Sequence, residues 1–132
     1  MIIVDTSAWI EYFRNGVPPV VQAVDAGLSR NFVAIGDLIY CEVMQGIGIK
    51  REQDMISSLF LALPKYEMVG FHHAEKSAQH YRLLRSKGVT VRKTIDVLIA
   101  TFCIENDFQL LHNDRDFDLM APLLGLKILP VK

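Results

Sequence analysis

Met1-Ile2-Ile3-Val4-Asp5-Thr6-Ser7 begins the chain: an apolar run rich in β-branched residues passes directly into an acid and two hydroxyls. Such a run lacks the polar alternation of a half-exposed strand and predicts a strand covered on both faces, as in a parallel sheet. Asp5 or Thr6 then caps the helix that follows. Trp9, Ile10 and Phe13 give that helix an apolar face, with Tyr12 expected on its exposed side, and Asn15-Gly16 stops it.

The same alternation continues along the chain. Helices are expected over residues 20–26 (ended by Gly27), from Gly36-Asp37 to about Gly46, over 52–63 (stopped by Pro64), over 72–87 (with Gly88 as a left-handed C-cap), from Thr94 to about Asn106, and over 116–124 (closed by Gly125). Residues 32–35, 66–69, 108–111 and 127–129 read as short apolar strands. Strands alternating with helices predict an α/β fold, a three-layer α/β/α sandwich around a central parallel sheet of four to five strands, in a single domain spanning 1–132.

With 132 residues, 51% apolar and 22% charged, the chain is long enough to bury roughly two-thirds of the surface it would expose unfolded, and disorder is excluded on composition. No uninterrupted apolar segment approaches the roughly 18 residues of a membrane span. The N-terminus has neither a basic region nor a cleavage site, so a cytoplasmic protein without membrane contact is expected. Cys41 and Cys103 lie in apolar helical contexts without metal spacing, and both are expected to be reduced core thiols. A net charge of −1 hides a segregation: residues 76–95 carry Lys76, Arg82, Arg85, Lys87, Arg92 and Lys93 and no acid. That strip is either a solvated helix face or a footprint for a polyanion.

Four acids adjoin apolar runs. Asp5 and Asp114 each stand just past a predicted strand, where ligand sites of open parallel sheets form, while Glu42 and Asp96 interrupt apolar helical stretches. Asp96 shares the i, i+3, i+4, i+7 stripe of Ile99, Ala100 and Cys103. Burying unpaired carboxylates costs several kcal/mol, roughly, unless they are neutralised or hold a cation. Each has an ordinary alternative: Asp5 and Asp114 as helix caps, Glu42 paired with a Lys, Asp96 as a first-turn acid. All four together favour Mg²⁺ or Mn²⁺ and phosphodiester hydrolysis.

Four segments resemble, in order, the PIN-domain ribonucleases and more closely their VapC toxin branch: Ile3-Val4-Asp5-Thr6-Ser7-Ala8-Trp9, Cys41-Glu42-Val43-Met44-Gln45-Gly46, Thr94-Ile95-Asp96-Val97-Leu98-Ile99-Ala100, and Asn113-Asp114-Arg115-Asp116-Phe117. The resemblance implies Mg²⁺- or Mn²⁺-dependent cleavage of RNA, a homodimer, and an antitoxin that wraps the toxin and inserts a C-terminal segment near the acids. By motif position Asp5, Glu42, Asp96 and Asp114 would be catalytic and metal-binding, with Thr6, Ser7, Asn113 and Asp116 in support. His112 stands where many members carry Thr or Ser.

Arg92 and Lys93, just ahead of Asp96, are expected to contact RNA phosphates. Two rivals remain at this point, a receiver-like phosphoryl-transfer module and a catalytically silent RNA- or protein-binding domain. The first needs paired acids after the first strand, and here Asp5 stands alone. His72, His73 and His80 lack single-site zinc spacing, and Gly46-x-Gly48 reads as a helix end rather than a phosphate loop.

Overall fold

A computed structural model describes residues 1–131. In chain order it contains β1 (Ile2–Val4), α1 (Thr6–Arg14), α2 (Pro18–Ser29), β2 (Val33–Gly36), α3 (Asp37–Gln45), α4 (Lys50–Leu61), β3 (Lys65–Tyr66), α5 (Gly70–Ser86), α6 (Thr94–Asn106), β4 (Gln109–Leu111) and α7 (Arg115–Leu124). The strands form one parallel sheet in the order β3-β2-β1-β4. Helix α1 packs on α2 and α3, and α3 on α4, while α5, α6 and α7 pack together, giving the expected α/β/α architecture.

β1 lies in the interior of the sheet, which is why it is apolar throughout: Ile3 and Val4 are fully buried, as are Ala34 on β2 and Leu110 on β4. The Ile, Val and Leu side chains each contribute about 1.5–3 kcal/mol of transfer energy. Registration matters more for function. Ile3 pairs with Leu110 and Val4 with Leu111, and the Asp5 amide continues the ladder to the Leu111 carbonyl at 2.8 Å. Asp5 therefore leaves the sheet beside the turn that carries Asp114.

Five expectations need correction. The strand expected over 66–69 is the two-residue β3, Lys65–Tyr66, after which the chain leaves the sheet toward α5. Residues 127–129 do not form a full strand; one parallel bridge, Leu110 to Ile128, joins them to β4. α2 passes through Gly27 to Ser29, because this glycine allows close approach to β2: a Cβ there would lie 2.9 Å from Val33 Cγ2. Cys103 is buried but Cys41 is exposed; α3 buries Ile39 and Val43, and a residue midway between them points to the opposite side of the helix. Finally, Tyr12 is half-buried whereas Phe13 is 37% exposed and stacks on the buried Trp9 at 5.6 Å. The inward stripe of α1 includes Ala8, Trp9 and Glu11, leaving Phe13 at its edge. Glu11 is tolerated there because it accepts from Arg14 at 2.9 Å and from the Val17 amide at 3.0 Å, tying α1 to the start of α2.

Candidate metal centre

Each acid is placed by a device at an element end. Asp5 is the N-cap of α1. Its Oδ2 accepts from the Ser7 amide at 3.0 Å and from the Ser7 hydroxyl at 2.6 Å. The same hydroxyl accepts from the Asn113 amide at 2.9 Å, so Ser7 fastens the end of β1 to the end of β4. Thr6 points the other way and donates to Glu42 Oε1 at 2.7 Å, joining α1 to α3 and fixing the Glu42 carboxylate.

Asp114 is the N-cap of α7 and accepts from the Asp116 amide at 3.0 Å. Its own amide donates to His112 Nδ1 at 3.1 Å. Because Nδ1 accepts, a neutral ring carries its proton on Nε2, which lies 3.2 Å from Asp118 Oδ1. His112 is buried and packs against Phe117, so the ring supports the turn that presents Asp114.

Asp96 sits in the first turn of α6 and is 5% exposed. One ligand oxygen each from Asp96, Asp114 and Asp116 lies within 4.8 Å of the others. Asp5 and Glu42 flank this group closely enough to act on it electrostatically. Burial first, and then the charges of Asp5, Asp114 and Glu42, push the Asp96 carboxyl up to about 7, against the opposing charge of Lys93. Asp5 is also raised, chiefly by burial, with the Ser7 bonds pulling it back. The alternatives of isolated caps and a surface first-turn acid do not describe this arrangement: Asp5 and Asp114 are caps and neighbours of the same cluster.

The cluster has a feature that a cation fits. Asp96 Oδ2 is buried and finds no hydrogen-bond partner among the described residues, a costly state for an ionised oxygen. The surrounding donors are hard carboxylate oxygens, the ligand type suited to Mg²⁺ and Mn²⁺. Asp116, expected in support or as a fifth contributor to the quartet, stands within the tightest group. Its signal in the sequence is the Asp-x-Asp spacing, since an N-cap acid that binds the second residue on brings that residue beside it. Arg92 reaches Asp116 Oδ2 with Nη2 at 3.3 Å, while Lys93 is exposed at the N-cap position of α6.

A three-layer sandwich with acids gathered at the carboxyl ends of adjacent parallel strands matches the PIN domain, whose family model aligns with residues 2–122. Ribonuclease VapC11 of Mycobacterium tuberculosis is 32% identical over 129 residues, covering 96% of each chain, and ribonuclease VapC51 of the same organism is 30% identical over 85% of this chain and 81% of its own. The chain belongs to the PIN-domain family, in its VapC branch. In fold it is similar to VapBC from Salmonella typhimurium, solved bound to DNA (TM-score 0.77, 18% identity, 97% and 96% of the chains), and to VapBC2 from Rickettsia felis bound to a promoter fragment (TM-score 0.76, 18% identity, 98% of each chain).

Proposed function

We propose that this protein is the toxin of a toxin–antitoxin pair, an endoribonuclease that hydrolyses RNA phosphodiester bonds with Mg²⁺ or Mn²⁺. The observation that carries the reading is the donorless, buried Asp96 Oδ2 amid four further carboxylates. Relatives covering nearly the whole chain and named as ribonucleases support it.

Asp96, Asp114 and Asp116 would hold the cation, with Asp5 and Glu42 completing the acidic wall. When bound, a divalent ion supplies the charge that offsets phosphate negative charge and lowers the pKa of water to give a nucleophile near neutral pH. The chain's own contribution is alignment. Ser7 holds Asp5, Thr6 holds Glu42, and the α7 cap holds Asp114 against Asp116. None of these hydroxyls has to act as a nucleophile. Lys93, exposed beside the cluster, offers an ammonium to the RNA backbone without reading sequence.

The antitoxin partner has a fitting surface. Ile10 and Phe13 of α1, Val43 of α3, and Ile47 and Ile56 line a cavity of about 290 Å³ that reaches Glu42. Met55 and Leu59 of α4 line a second cavity that shares Phe13 and Ile56 with it. Ile10, Phe13 and Met55 are 49%, 37% and 66% exposed, and an apolar antitoxin segment laid here ends beside the acids. A second copy of the chain would cover another face, where Phe71 at the start of α5 is 96% exposed. No helix among the described residues is long and apolar enough to cross a membrane, and the reading places the toxin with its RNA in the cytoplasm.

The test uses purified protein and structured RNA with Mg²⁺ or Mn²⁺, repeated with chelator, with Asp5→Asn and with Asp96→Asn. Cleavage confined to the metal-loaded wild type is the expected result. Cleavage that survives all three treatments overturns the metal mechanism.

A further inference from the structure

Arg92 is placed oddly for a residue whose only task is to meet RNA. Its side chain is 75% exposed, yet its guanidinium turns back onto Asp116, whose side chain is 13% exposed and contributes one oxygen to the tight acidic group. Val91 just before it is buried, and Thr94 two residues on begins α6. The backbone at Arg92 is therefore anchored on both sides while the side chain is free to swing. Asp116 has no other side-chain partner among the described residues that would supply positive charge.

We propose that Arg92 is a tethered counter-ion that metal loading hands over to the RNA. While the acids lack a divalent cation, the guanidinium neutralises Asp116 and lowers the repulsion within the cluster. A dication among Asp96, Asp114 and Asp116 takes over that neutralisation and repels the guanidinium at short range. The released group then has a free planar fork, suited to a phosphate of single-stranded RNA. Metal and RNA binding are thus positively coupled through one side chain, and by linkage RNA raises metal affinity by the same factor. This role rests on the metal-dependent nuclease reading above and adds the coupling to it.

Two substitutions that remove equal charge separate the contact from the general field. Arg92→Gln breaks the Asp116 pair. Arg30→Gln alters a residue at the C-cap of α2, before β2 and so at the opposite end of the strands from the acids. Mn²⁺ affinity is read by isothermal titration without RNA. Binding of a labelled, single-stranded 2′-O-methyl RNA is read by fluorescence anisotropy with and without Mn²⁺.

Arg92→Gln should bind Mn²⁺ about fivefold more tightly than wild type, because a competing cation is gone, while Arg30→Gln stays near wild type. With Mn²⁺ present, Arg92→Gln should bind the RNA about fivefold more weakly, with a salt slope reduced by about 0.7. The gain in RNA affinity that Mn²⁺ gives wild type should shrink by a similar factor. Unchanged Mn²⁺ affinity in Arg92→Gln, an equal rise in Arg30→Gln, or an undiminished gain from Mn²⁺ overturns the hand-over and leaves the nuclease reading intact. A wild type that takes up no Mn²⁺ at all overturns both.

Discussion

Asp96→Asn should move two measurements in opposite directions. In the metal-free protein the wild-type carboxyl has been pushed up to about 7 from an ordinary 3.8. A raised native-state pKa means that the folded protein binds this proton more tightly than the unfolded chain does. Its contribution to stability is therefore fully present below about pH 4, falls between about pH 4 and 7, and is lost above. At about 1.36 kcal/mol for each tenfold change in proton affinity, the gap corresponds to a ceiling of about 4 kcal/mol. Relaxation and water penetration reduce that to about 2 kcal/mol.

Asparagine has the same shape and no charge, so at pH 8 with chelator the variant should be more stable than wild type by about 2 kcal/mol, on the order of 7 °C in Tm. At pH 4 the two should melt together. A divalent cation reverses the order: at a free concentration of 100 times Kd it stabilises wild type by about 2.7 kcal/mol, and the variant gains little. Thermal unfolding followed by circular dichroism at pH 4 and pH 8, with EDTA or saturating Mn²⁺, contains the whole test. Equal melting of both proteins at pH 8 in EDTA would show that the acids do not strain one another. An equal rise of both in Mn²⁺ would remove Asp96 from the cation site.

Further outcomes follow from the supporting contacts. Thr6→Val removes the hydrogen bond that fixes Glu42 and should weaken Mn²⁺ binding about tenfold by titration, with little loss of stability. Ser7→Ala leaves Asp5 and the Asn113 amide without their shared partner and should cost about 1–3 kcal/mol in urea denaturation as well as cleavage activity. Met55→Glu should abolish co-purification with the antitoxin while RNA cleavage by the isolated toxin stays near wild type. With a thiol reagent at pH 8, exposed Cys41 should react at once, whereas Cys103, buried and pushed up to about 12, should react only on unfolding.

The fold was legible because its decisive strand is buried on both faces. Ile2 to Val4 carries no polar residue to place elsewhere, and the acid and hydroxyls after it end the strand and cap the helix together. Helix ends were legible where a residue takes a left-handed conformation, as at Asn15 with φ of 53° and Gly125 with φ of 75°, and at Gly46, which ends α3 in a right-handed one. Gly27 misled because its role is close approach to β2, which depends on a neighbour more distant than any local signal. Phe13 misled for a related reason: an apolar residue can sit at the margin of a helix's inward stripe, whose width is set by what packs against it, whereas Cys41 lies on the side of α3 opposite Ile39 and Val43. Asp5, Glu42, Asp96 and Asp114 were legible as acids out of place, but their closeness was not, since it depends on the parallel register of β1 with β4 and on the phase of α3 and α6.

That dependence explains why hydroxyls recur around this cluster. Carboxylates brought together by sheet register repel one another and would splay apart unless neutral donors held them. Ser7 binds Asp5 and the Asn113 turn, Thr6 binds Glu42, and Asp114 spends one oxygen on the Asp116 amide. These bonds fix three of the acids while leaving other oxygens uncommitted, and none of them reaches Asp96 Oδ2. The result is a site whose geometry is built by the fold and whose charge is left unbalanced, and Asp96 carries most of that imbalance because α6 buries it without a donor. A substitution that supplied Asp96 with a donor should stabilise the empty protein and weaken its metal binding together, since both arise from the same unsatisfied oxygen.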